Sequence, residues 1–223
     1  MRLLFIVCFF MSFVSLGQED LEITLPDFTE LKVFDLIQAE IKPSDKNLLK
    51  IPGAYRDKVD WVLKKDVLKL RMQLENSFKG EDVRIVLYTS GLNVIDVNEG
   101  AAVVSDQLIK QNKLEVRVQE GAMSRLHVNT EFLELKAVTG GQLIISGSTN
   151  HQIINAGTGA IIDNDKLISN HIKVDLKAGG VVNVHASKSI DASVKMGGDV
   201  YVKGSPNEVH KKTFAGGDIT LLD

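Results

Sequence analysis

Two histidines stand twenty residues apart in the same context, Asn150-His151 and Asn170-His171. Imidazole ligates metals and carries protons near neutral pH, so the first question is whether the fold brings the two rings together. A two-histidine metal site needs a third ligand, and no carboxylate shares the spacing; Glu131 is the nearest. The repeat is therefore read as structural, with inward asparagines stacked as a ladder that satisfies turn backbone groups and imidazoles paired beside them. A second constellation is acidic. Asp199 and Asp218 each follow a glycine doublet, Gly197-Gly198 and Gly216-Gly217, and Asp191 lies in the preceding unit. Clustered carboxylates cleave polysaccharides by acid–base chemistry or hold calcium, and two stacked aspartates repel in a way that favours a cation. The plainer reading is turn chemistry, because aspartate is common beside tight bends. His127, His185 and His210 are isolated, and no nucleophile elbow, H-E-x-x-H, phosphate loop or dinucleotide fingerprint occurs. The expectation is no catalytic residue, no metal site and no cofactor.

The elements that position these residues follow from a repeat. Small residues open successive units at Gly80, Gly100, Gly121, Gly141, Ala160, Gly180, Gly198 and Gly217, at intervals of 18 to 21 residues. Apolar-alternating runs follow each start, as in Val83–Leu87, Leu143–Ile145, Val181–Val184 and Val200–Val202. A second run comes about ten residues later, as in Leu114–Val118, Leu133–Leu135, Ile172–Leu176 and Ile190–Val194. Period-two alternation with β-branched residues specifies strands with one buried face. Two short strands cannot close a core alone, so the units must stack, at about 4.8 Å per coil. The predicted fold is all-β: a β-solenoid with coils of about 20 residues. A β-sandwich shares the strand spacing but not so regular a glycine period.

Residues 18–79 break the pattern and are assigned to N-terminal strands and a cap, and 80–223 to the repetitive body, the whole of 18–223 forming one structural domain. Strands are expected at Leu31–Phe34, Ile37–Ile41, Leu48–Ile51, Val59–Leu63 and Val67–Met72. A helix over 57–76 is the alternative that the lysine content allows. An uncapped solenoid end exposes unpaired edges and an open core, so a cap is physically required and self-association through the ends is a standing hazard. The Lys64-Lys65-Asp66 tip reads as a solvated turn.

Arg2, the apolar run Leu3–Val14 and the small residues of Ser15-Leu16-Gly17 have the layout of a cleavable signal peptide over 1–17. The run is short for a membrane span, so no span is expected after cleavage. Cleavage removes Cys8, the one cysteine, and with Arg2 gone the formal charge moves from −3 to −4. Such a chain is acidic, with pI near 6.0, and gives nucleic acid no basic surface. The expected location is the periplasm or the outer cell surface.

Two blocks resemble a known family, the head GIN domain of auto-transporter adhesins from Bacteroidota envelopes. One is Phe28–Ile41 with the Lys50-Ile51-Pro52-Gly53 turn; the other is the glycine-doublet body, notably Ala178–Val184 and Lys195–Pro206. The resemblance covers about 24–223 and implies a right-handed β-helix, export, and an adhesive or scaffolding role without catalytic residues. The leading expectation is thus an exported binding or structural module facing a glycan or an envelope or host protein. Its polar edges are Ser146–Asn150, Ser187-Lys188-Ser189 and Lys203-Gly204-Ser205, though none is assigned as a ligand site. The alternative is a polysaccharide lyase or hydrolase built on Asp199 and Asp218.

Overall fold

The computed structural model describes residues 19–222, so the 1–17 segment lies outside the described residues. Alternation becomes burial with a period of two. In β10 (Met123–Ala137), Ser124, Leu126, Val128 and Thr130 point inward, and so do Leu133, Leu135 and Ala137. Glu131 and Phe132 are both exposed, and this one-residue slip marks a corner where the long strand bends from one face to the next. Its neighbours β9 (Ala102–Val118), β11 (Gln142–Ala156), β12 (Ala160–Leu176) and β13 (Gly180–Val194) follow the same plan. They stack in parallel, as Ala102, Met123, Gln142, Ile161 and Val181 align in turn. Coils therefore advance by about the predicted length, and the fold is the β-solenoid that the repeat specified.

The glycine phase has a local cause. In Gln119-Glu120-Gly121-Ala122 the Ala122 N–H donates to the Gln119 carbonyl at 3.1 Å, and Glu120 and Gly121 have φ of 57° and 72°. Two successive positive φ values define a type I′ turn, in which glycine at the second position removes one strained residue. Coil lengths vary where bulges enter. The register of β12 against β11 and β13 shifts around Asn164–Leu167. There the buried Asn164 Oδ1 accepts the Ile145 N–H at 3.1 Å, replacing a ladder partner. Leu167 aligns with Gly147 and is fully buried, so the bulge supplies volume where the neighbouring coil has none.

The N-terminal region is woven into the stack. The segments β2 (Glu30–Val33) and β3 (Gln38–Pro43) make one coil, and β6 (Val67–Met72) and β7 (Arg84–Thr89) make another. In space, β2 lies between β6 and β8 (Val94–Val97), and β3 lies between β7 and β9. Spatial order thus departs from chain order. The turn of the interposed coil carries positive φ at Asp35 and Leu36, and buried Asp35 Oδ2 accepts the Met72 N–H at 3.0 Å. Antiparallel strands close this end: β5 (Val59–Lys64) on β6, β4 (Leu48–Ile51) on β7, and β1 (Leu21–Thr24) on β4. Residues 57–76 are the β5–β6 hairpin flanked by single 3-10 turns, so strands replace the helical alternative.

At the other end lie β14 (Asp199–Lys203), β15 (Glu208–Thr213) and β16 (Asp218–Leu221). The inward column Ile190, Ala192, Val194 continues in β15 as Val209, Lys211, Thr213. A lysine thus stands over the end of the core, and its Nζ donates to the Ile219 carbonyl at 2.9 Å.

Candidate functional site

The corner between the two halves of each coil gathers the sequence's polar signals into columns. Next to the core, the Thr130 hydroxyl donates to Thr149 Oγ1 at 2.9 Å, and buried Ser169 donates to Gln152 Oε1 at 2.9 Å. Outside them, Asn150 Nδ2 donates to Glu131 Oε1 at 2.7 Å and Asn170 Nδ2 donates to Asn150 Oδ1 at 2.9 Å. The asparagine ladder therefore exists, but it faces outward. The correction has a steric reason: the alternation places Thr149 and Ser169 at the inward positions, and the slip at the corner turns both following residues to solvent. Glu131, the carboxylate nearest in spacing to the histidine pair, instead ends this ladder as its acceptor.

The next column is aromatic. Lys113, Phe132, His151, His171 and Ser189 align on successive strands. The Phe132 and His151 rings stack with centroids 5.1 Å apart and planes 10° apart, and His151 and His171 stack at 5.0 Å and 18°. His171 Nδ1 meets Ser189 Oγ at 2.8 Å. Stacked rings direct their nitrogens side by side rather than toward a shared point, a poor geometry for a tetrahedral metal. Among the described residues, no three His, Cys, Asp or Glu side chains group as metal ligands. Two further rungs widen the ridge: His127 Nδ1 meets Ser146 Oγ at 3.1 Å, and Asn129 Nδ2 donates to Ser148 Oγ at 2.7 Å. Ser146–Asn150 and Ser189 thus belong to one continuous patch. Lys203 aligns with His185 farther along the stack, its ammonium 2.6 Å from Asp165, whose carboxyl it holds below the usual range.

Asp199 and Asp218 align on β14 and β16 as neighbours, which the glycine spacing anticipated. The Thr220 hydroxyl, then the Ile219 N–H, keep the Asp218 carboxyl below its ordinary value. That favours a permanent carboxylate over a general acid, which needs its pKa raised. Asp191 aligns with Lys173 and His210 on the other half-coils, so the three aspartates form no single cluster. Sequence reasoning missed Phe132, although it precedes His151 by one coil length. The aligned spacing was the available signal, but a lone phenylalanine in an alternating strand looks like any other apolar position.

Two shallow grooves flank Glu131-Phe132. One, about 430 Å³ including its open mouth, is lined by Lys113, Phe132, Leu133, Glu134, His151 and Ile153. The other, more polar, is lined by Lys110, Gln111, Asn112, Asn129, Thr130 and Glu131. Phe132 and Ile153 are 45% and 43% exposed, so the first groove keeps a wet apolar floor.

Several solved structures share this architecture. A putative adhesin from Bacteroides fragilis superposes with a TM-score of 0.82 at 17% identity, covering 91% of this chain and 96% of that one. A putative lipid binding protein from Parabacteroides distasonis gives 0.69 at 15% identity, with 92% and 96% covered. A putative adhesin from Parabacteroides merdae gives 0.66 at 14% identity, with 91% and 95% covered. At these identities the likeness speaks for the fold. A comparison with curated proteins gives no match. The sequence itself matches the family described as "Putative auto-transporter adhesin, head GIN domain" over residues 27–206. With most of its length so matched, the chain belongs to the head GIN domain family.

Proposed function

We propose that this protein is an exported, non-catalytic binding module of the cell envelope that engages a glycan or an envelope or host protein. The observation that carries the reading is the corner ridge. Its side chains hydrogen-bond to one another from coil to coil, so they are fixed before any partner arrives, and preorganisation lowers the entropic cost of binding. The 1–17 leader pattern supports export, and no helix among the described residues is long and apolar enough to cross a membrane. Protease shaving of intact cells, beside a periplasmic control, tests the location. Loss of this protein alone puts it on the outer surface and predicts cell or glycan binding. Protection until the outer membrane is opened removes surface adhesion and leaves envelope scaffolding.

The aligned Asp199 and Asp218 keep one alternative in view, a polysaccharide-cleaving enzyme. Its test is the chain length of neutral and acidic polysaccharides after long incubation. Shortening that Asp199→Asn and Asp218→Asn abolish would establish it.

A further inference from the structure

The stack of rings on the corner has two outer faces, and they differ. His171 ends against Ser189, which hydrogen-bonds its ring nitrogen. Phe132 ends against Lys113, an aliphatic stem in the same register rather than another ring. One face of Phe132 is therefore covered by His151 and the other is turned toward Lys113, while the ring as a whole stays 45% exposed and borders the groove that Lys113, Glu134, His151 and Ile153 also line. On the far side of the corner, Glu131 has one carboxylate oxygen bonded to Asn150, leaving acceptor capacity on the other. Asn112 and Lys110 line the recess beside it.

We propose that this corner is a saccharide subsite, in which a neutral pyranose packs against the exposed part of the Phe132 ring in the groove and its hydroxyls reach Glu131, Asn112 and Lys113. This rests on the binding-module reading and names its site and ligand class. A pyranose ring has a face of polarised C–H bonds and a rim of hydroxyls. The C–H face suits the negative face of an aromatic ring, and the rim needs donors and acceptors at its edge. Phe132 supplies the first, and the ladder ending in Glu131 supplies the second. The charges select for neutrality: Lys110 and Lys113 are balanced by Glu131 and Glu134 around the same ring. With no net charge around the ring, an acidic glycan gains no net attraction, and an acyl chain finds an open floor where it cannot be enclosed.

The test is titration of isotope-labelled protein with neutral oligosaccharides of glucose, galactose, mannose and N-acetylglucosamine, read by amide and aromatic NMR shifts. Phe132→Ala and Phe132→Trp run in parallel, and Ile161→Ala, on the other half-coils, serves as control. Phe132 is half exposed, so its removal leaves the core intact, and unchanged spectral dispersion verifies this. The expected result is saturable shifts centred on Phe132, Glu131 and Asn112. Phe132→Ala should weaken them at least about tenfold, while Phe132→Trp and Ile161→Ala retain them. Saccharide binding that Phe132→Ala leaves unchanged overturns this site while the binding-module reading stands. No saturable shift with any neutral sugar overturns the saccharide subsite. If unlabelled cells are still bound, the partner is a protein or a charged glycan; if they are not, the wider reading falls with it.

Discussion

Gly147 allows the most demanding test of the packing described here. Its φ is 111°, and a Cβ there would overlap the Val128 carbonyl oxygen and lie 3.0 and 3.1 Å from the Val128 carbon and nitrogen. All three obstacles are backbone of the adjacent coil, so no side chain can rotate away. Gly147→Ala thus incurs the cost of a sparsely populated φ, about 1–3 kcal/mol. It must also part β10 from β11 by roughly an ångström, which breaks hydrogen bonds that fail beyond about 3.2 Å. Two such bonds at about 1 kcal/mol each bring the loss to about 3–5 kcal/mol. Two other glycines separate the contributions. Gly121 has φ of 72° with nothing within 4 Å of an added Cβ, so Gly121→Ala shows the conformational cost alone, about 1–2 kcal/mol. Gly91 lacks a positive φ and its nearest neighbour is 3.9 Å away, so Gly91→Ala is neutral or stabilising by up to about 1 kcal/mol. Urea unfolding followed by circular dichroism, with unchanged slopes, reads all three. If Gly147→Ala unfolds within about 1 kcal/mol of Gly121→Ala, the close approach of the coils is wrong.

Other consequences are as specific. Lys211 is a charge at an inward edge position, a device that discourages strand addition, so Lys211→Val should increase concentration-dependent association in sedimentation. Unchanged sedimentation would show that the edge is protected by something else. Burial, then the nearby Asp35 and Glu120, push the Glu99 carboxyl up, with Arg71 opposing. The folded state therefore keeps that proton to higher pH than the unfolded chain, and stability falls as pH rises through the window above 4.5. Glu99→Gln should be more stable than wild type at neutral pH, with the advantage vanishing below that window; a constant difference across pH would contradict the assignment. Asn164→Ala strands the Ile145 N–H at the bulge and should cost about 1–2 kcal/mol in thermal or urea unfolding, moderated because the Asn164 Nδ2 has no partner of its own. Full stability in that variant would mean the bulge finds another acceptor.

The solenoid was legible because its signals are local. Alternation reports which face is buried, and the turn residues report where the chain reverses, so the strands from Val67 onward and the coil length could be read directly. The asparagine ladder was legible in spacing but not in direction. Its direction depends on a one-residue slip at Glu131-Phe132, and two adjacent exposed residues look the same as a turn in sequence. The placement of β2 and β3 between later coils had no local signature at all. Leu31 and Val33 are buried like any alternating strand, whichever neighbours they acquire. Asp35 carried a faint signal, since a carboxylate between apolar runs asks for a backbone donor; that the donor is Met72 is a long-range fact.

The interposed coil also constrains the order in which the molecule can come into being. Strands 30–43 have both lateral neighbours later in the chain, at 67–89 and 94–104. A chain emerging N-terminus first, from a ribosome or through a membrane pore, therefore delivers these strands before anything exists for them to join. Their pairing waits for long-range closure, which is slow compared with adding one coil to the next. The later coils can zip in sequence, each on its predecessor. The slow event is then the capture of 30–43 as a clasp between two coils. Until it occurs, the apolar faces of β2 and β3 stand open, and whatever meets the emerging chain at that moment must keep them apart from other strands.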